Sequence, residues 1–283
     1  MNALNSIPPS ALRLALGGWS FFLAENLILS ENRTYIIEDL LSNNERNYHL
    51  IYGSFSTFAV GLIGYGYNQI RHVAPFYNKI GIGRTTIGRG LQLFGLIGMS
   101  QVLPKVQMPI GYGNTKSLVN NSSQNSTGSP QLKIPSTTPT PQSTSPLPSS
   151  FTLRCPFDFT VSSKSPCTGY SRISRHSSLW SFASFSVGTG LLVASIPQSL
   201  CLFAPLVVAS VGGAHQDYRH RRNIGGFLPE ELDRKTSHIP FFAMLSGAQG
   251  GVTTVFREMA EEIKWSNAAV VGVGLGIRIL TKR

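Results

Sequence analysis

Six apolar stretches separated by polar, charged segments decide what this chain can fold into. They occupy residues 12–30, 49–70, 86–103, 179–196, 200–214 and 267–280. A charge at the centre of a bilayer costs roughly 2.5–3.5 kcal/mol on insertion scales, so membrane chains gather their charges between apolar blocks. Only 13% of the residues here are charged, about half the ~25% of an ordinary soluble domain. The pattern predicts an all-α fold, a polytopic membrane bundle of about five to six transmembrane helices, in contact with membrane lipid. The 267–280 stretch is the shortest. Its Gly272 and Gly276 form a small-xxx-small pair that would let another helix approach closely. Pro104 and Pro197 are expected to end the third and fourth spans, because proline inside a helix removes a hydrogen bond. A very short turn then makes spans four and five a tight hairpin.

The formal net charge is +11, yet the basic residues flank the apolar blocks, where they set topology and meet anionic headgroups. Nucleic acid is therefore not the expected partner. With six spans, the connections 31–48, 104–178 and 215–266 share one face and hold 16 of the 24 Lys and Arg residues. That face should lie in the cytosol, or in the stroma or matrix of an organelle. The chain divides into an N-terminal helical part (1–113), an insertion (114–150) and a C-terminal half with a basic loop (151–283). The insertion is almost wholly Ser, Thr, Pro, Asn and Gln, too poor in apolar surface to offset the entropy of ordering. Cys155, Cys167 and Cys201 form no CxxC, which argues against a zinc site. Cys155 and Cys167 share a loop and could pair in an oxidising compartment.

Four polar features interrupt the apolar pattern. The run from Gly212 to Arg222, GGAHQDYRHRR, begins in a hydrophobic helix and ends as a basic cluster. Arg219, Arg221 and Arg222 read as side chains reaching for headgroups. His215 and Asp217 stand at the membrane boundary, where a polar group usually needs a partner. Arg175 and His176 open span four. A neutral histidine can ligate iron, and an arginine can hold a propionate or phosphate; solvated groups at a helix start are the plainer reading. Glu25, beside Asn26 within span one, must be protonated or paired, as a proton donor, a metal ligand or a helix–helix contact. The segment 231–242 looks like an exposed turn of helix followed by a Pro-Phe-Phe return to the interface.

Several reaction classes lack their signatures. Residues 81–88, GIGRTTIG, want the Lys-Ser/Thr that closes a phosphate loop. Residues 272–276, GVGLG, lack the strand–turn–helix setting of a dinucleotide site. No G-x-S-x-G or H-E-x-x-H occurs, so neither a hydrolase triad nor a zinc enzyme is indicated.

The run from Arg175 to Phe182 (RHSSLWSF), the hairpin, His215 to Arg222 (HQDYRHRR), Thr236 to Phe241 (TSHIPF) and Gly247 together resemble the NnrU family in order and spacing. That family includes bacterial proteins linked to nitrite and nitric oxide metabolism and the 15-cis-zeta-carotene isomerase of plants and algae. Phe22 to Asn26, with Tyr48, Tyr52 and Ser56, resemble its first helical pair. The resemblance implies a haem b cofactor held through His176 and Arg175, a carotenoid substrate and a plastid membrane. Glu25 stands where the isomerase has a second histidine, and Ser177 where it has a proline. A carboxylate suits harder ions than ferrous haem, so His215 is the nearest alternative ligand. Two other readings stand beside it: a non-enzymatic scaffold or assembly factor for a redox complex, and a membrane methyltransferase, whose family shares the hairpin and basic exit loop.

Overall fold

The computed structural model describes residues 9–71, 81–102, 110–113, 150–153 and 167–281. The 114–149 stretch of the insertion, Pro104 and Cys155, with its expected link to Cys167, lie outside them. The described chain is helical apart from one antiparallel ladder, Ile110–Gly113 with Ser150–Leu153. Helices stand at all six apolar stretches: α1 (Pro9–Glu31), α2 (Glu45–Ile70), α3 (Ile82–Val102), α4 (Ser177–Leu192), α5 (Ile196–Arg221) and, last in the chain, α8 (Trp265–Thr281). Two short helices, α6 (Glu230–Lys235) and α7 (Val252–Glu262), lie in the connection before α8. By length and composition, Ser10–Glu31 and Ile196–Arg221 are long and apolar enough to cross a membrane.

α1 and α2 form one antiparallel pair, α3 and α4 another, and α5 packs against α4 and α1. Close approach depends on glycine. A Cβ on Gly66 of α2 would lie 2.6 Å from the Ala15 nitrogen of α1. Between α3 and α4, a Cβ on Gly95 would lie 2.5 Å from the Phe185 nitrogen and the Ser181 oxygen, and one on Gly188 would lie 2.6 Å from the Gln92 nitrogen. Gly88, Gln92 and Gly95 follow at i, i+4 and i+7, one face of a helix. Gln92 adds a 2.9 Å bond to Thr189 across this seam. Gly272 and Gly276 play no such part, for nothing described lies within 4 Å of a Cβ on either. α8 instead meets α3 through polar groups: Asn267 Nδ2 donates to the Ser100 carbonyl at 3.3 Å, and Gln101 brackets the Lys264 backbone.

The hairpin turns one step earlier than the prolines suggested. α4 ends at Leu192, and Pro197 sits in the first turn of α5, two residues after Ser195. Proline is tolerated there because the N–H it lacks would have had no intrahelical acceptor. Arg84, within the would-be phosphate loop, belongs to the first turn of α3 and donates to the Val193 carbonyl at 3.0 Å beside the end of α4. α5 contains Pro205 and then passes through a π-helical turn, Val208–Gly212. Proline frees a carbonyl one turn back, and the π turn, a rare element often found at functional sites, follows beyond it.

Replacing Gly95 by Leu should force α3 from α4 and lower the thermal stability of the detergent-purified protein, by about 1–3 kcal/mol as expected for overpacking. Gly90, which has open space around it, supplies the control. Equal melting temperatures for Gly95→Leu and Gly90→Leu would contradict the seam.

Candidate functional site

Three segments far apart in sequence meet at the exit end of α5. The first, Ile173 to His176, leads into α4. It is zipped to the stretch after α6: the Arg175 N–H donates to the Ser237 carbonyl at 3.1 Å, Ser174 Oγ to the His238 carbonyl at 2.7 Å, and the Phe241 N–H to the Ile173 carbonyl at 2.8 Å. Phe241 holds φ +64°, a left-handed conformation uncommon for a bulky residue. That N–H bond and its packing on Phe94, with ring centroids 5.9 Å apart, keep it there.

The third segment is the end of α5, whose two sides do different work. Gly213, Asp217 and His220 follow at i, i+4 and i+7 and are buried. Asp217 faces the zipped segments. His176, only 2% exposed, bonds through Nε2 to Asp217 Oδ1 at 2.7 Å. A carboxylate can only accept, so Nε2 carries the proton. Arg175 Nη1 lies 3.3 Å from the other Asp217 oxygen and 2.5 Å from Asp233 Oδ1. Its Nη2 donates to the Asp233 and Thr236 carbonyls. Arg221 completes the group with bonds of 2.7 and 2.8 Å to the Asp233 carboxylate. The His238 ring meets that of His176 at a centroid distance of 5.5 Å, and its Nε2 lies 2.9 Å from the Ser210 carbonyl. Burial holds the His238 imidazole below its ordinary pKa.

On the other side of α5, His215 Nε2 lies 3.2 Å from Ser30 Oγ and 3.8 Å from Glu31. Arg219 donates to the Ser30 carbonyl at 3.2 Å, and Arg222 pairs with Glu31. A cleft of about 60 Å³ lies here, with Phe22, Tyr52 and Val208 beside Asn26, His215 and Arg219. Glu25 is elsewhere again, between α1 and α2. Ser56 Oγ donates to its Oε1 at 2.5 Å and Asn26 Nδ2 at 3.1 Å. Of the three roles open to it, the helix–helix contact is the one its neighbours fit.

Arg175, His176, Asp217 and Arg221 are thus brought together, whereas His215, Arg219 and Arg222 belong to the α1 side and Glu25 to the α1–α2 seam. This corrects the expected ligand sets. His176 and His215 do not share a site, because positions 215 and 217 lie on opposite faces of one helix. Neither Glu25 nor His215 stands across from His176, whose Nε2 bonds to Asp217, so the expected ligand pairs are not assembled among the described residues. Two participants, Asp233 and His238, were not among the expected site residues: the segment 231–242 stood out in the sequence, but its first part read as an exposed turn of helix and its Thr236–Phe241 stretch carried only the family resemblance. Neither a protein-family model, nor a curated protein, nor a solved structure matches the chain.

The hydrogen bonds from Arg221 hold the Asp233 carboxyl down at about 2, against the opposing effect of its partial burial, with help from Arg175. A folded-state pKa below the unfolded value means stabilisation that is fully present above about pH 4 and is lost as pH falls towards 2. With solvent screening of this partly exposed pair, the shift is worth on the order of 1 kcal/mol. Asp233→Asn should therefore melt earlier than the wild type at pH 7, with the gap closing between about pH 4 and pH 2. A gap that does not change with pH would rule this pairing out as its source.

Proposed function

We propose that this is a polytopic membrane protein of the NnrU kind, with five to six spans, that acts on a carotenoid as 15-cis-zeta-carotene isomerase does. The observation that carries the reading is convergence. The three segments that resemble the family, around Arg175–His176, Asp217–Arg222 and Thr236–Phe241, interlock through Arg175, Asp217 and the backbone of residues 236–238. A chance likeness in three separate stretches gives no reason for them to meet.

The multi-span part of the proposal draws on the helices' outer surfaces. Phe58, Tyr65, Val270, Val273 and Ile277 are each more than half exposed. Soluble monomers seldom present apolar patches beyond a few hundred Å², whereas lipid covers such faces at no cost. Inside, polar groups such as Gln92 with Thr189, and Ser199 with the Gly190 carbonyl, bond across or within the bundle, as membrane helices require.

A second reading, a membrane scaffold or assembly factor for a redox complex, is favoured by one specific observation. Arg175, Asp217, Asp233 and Arg221 satisfy one another, which is what a rigid docking element needs and leaves no charge over for a substrate. Methyl transfer has no such observation in its favour.

Bacteria engineered to accumulate 15-cis-zeta-carotene, grown in darkness with and without the protein, separate the two. Conversion at the central double bond is the expected result. If verified membrane-inserted protein leaves the pigment unchanged and co-purifies with a stable partner, the isomerase reading is wrong and the scaffold reading takes its place.

A further inference from the structure

We propose that His176, Asp217 and His238 form a mononuclear binding site for a first-row divalent transition-metal ion. One donor atom from each lies within 4.8 Å of the others. Two imidazole nitrogens and one carboxylate oxygen form a donor set suited to Fe²⁺, Zn²⁺ and their neighbours, and three protein ligands leave coordination positions open.

The surroundings have the form of a supporting shell. The His238 Nε2 faces the Ser210 carbonyl, which can only accept, so the proton is on Nε2 and the lone pair on Nδ1. That Nδ1 is buried with no hydrogen-bond partner among the described residues. A buried acceptor left so is destabilising. Such a histidine, one nitrogen tied to a carbonyl and the other bare, is how metal-bound imidazoles are oriented. Asp217 is oriented likewise: Oδ2 lies 3.3 Å from Arg175, while Oδ1 faces His176 Nε2 at 2.7 Å. On binding, the His176 proton would pass to Nδ1, which is buried without a hydrogen-bond partner among the described residues, and the ion would sit between Nε2 and Oδ1.

Gly213 makes the arrangement possible. A Cβ there would lie 2.6 Å from His238 Cε1, 2.8 Å from its Nδ1 and 3.3 Å from His176 Cδ2. Both rings rest on the bare backbone one turn before Asp217. Asp233 is shared by Arg175 and Arg221, while Asp217 meets Arg175 with Oδ2 and turns Oδ1 to the imidazole of His176.

The test uses the full chain in detergent micelles, freed of metal by a chelator and titrated with Co²⁺ while visible absorption is followed. The expected result is saturation at one equivalent, with ligand-field bands that Zn²⁺ abolishes. His238→Ala and Asp217→Asn should each weaken binding by more than about 100-fold, beyond what loss of a supporting residue does. His215→Ala, outside the cluster, should bind as the wild type does. Failure of the wild type to bind stoichiometrically overturns the proposal, and so does loss on His215→Ala with retention in the other two. Should neither cluster variant fold, histidine modification of the wild type serves instead: Co²⁺ should protect His238 and leave His215 reactive, and equal protection of both would overturn the site. Metal binding is read without any pigment, so its failure and that of the carotenoid reading are separate results.

Discussion

The arrangement at the exit end of α5 depends on one buried guanidinium. Arg175 is held between Asp217, on the last turns of α5, and Asp233, on α6. Its side chain is 3% exposed, and an uncompensated charge at such depth would cost several kcal/mol. The two carboxylates and the Asp233 and Thr236 carbonyls share its donors. The planar fork of arginine suits the task, since it offers donors in several fixed directions and a lysine would offer a single point charge. The connections before α4 and after α6 therefore acquire a definite place against α5 although neither carries a long apolar face.

Lower in the bundle a different force does the holding. Here close backbone packing and hydrogen bonds between helices bring the elements together. Gly66, Gly88, Gly95 and Gly188 allow backbones to touch, and Gln92 and Thr189 fasten the contact. The polar cluster and the glycine seams are complementary. The seams fix the distance between α3 and α4, and α4 begins at His176, so the seams also fix where that histidine stands.

How much of this could be read from the chain depends on the physics involved. Helix positions were legible, because apolar length alone reveals them. Helix ends were less so: Pro197 can stop a helix or start one, and only its place in the first turn of α5 shows that it starts one. The glycine pattern was misassigned for a related reason. Gly272 and Gly276 have the spacing of a contact face, but spacing does not say whether a partner is there. In the site, Arg175, His176 and Asp217 stood out as polar groups where a bilayer disfavours them. That His215 and Asp217, two residues apart, serve opposite faces follows from helix geometry once a helix is granted. That α6 folds back to supply Asp233, and brings His238 with it, is a long-range fact that no local pattern carries.

The π turn at Val208–Gly212 gives the last part of α5 a sensitivity of its own. A π turn amounts to one residue added to an α-helix, and each residue turns the helix by about 100°. Everything beyond it, from Gly213 to Arg221, is thus phased by the length of this turn and not by the bundle below. Regularising it into α-helix would rotate Asp217 away from His176 and carry His215 off Ser30, with every side chain left chemically intact. The helix end behaves like a key whose bit is set by its shank: the partners on both sides recognise an angle, and a single backbone defect sets it.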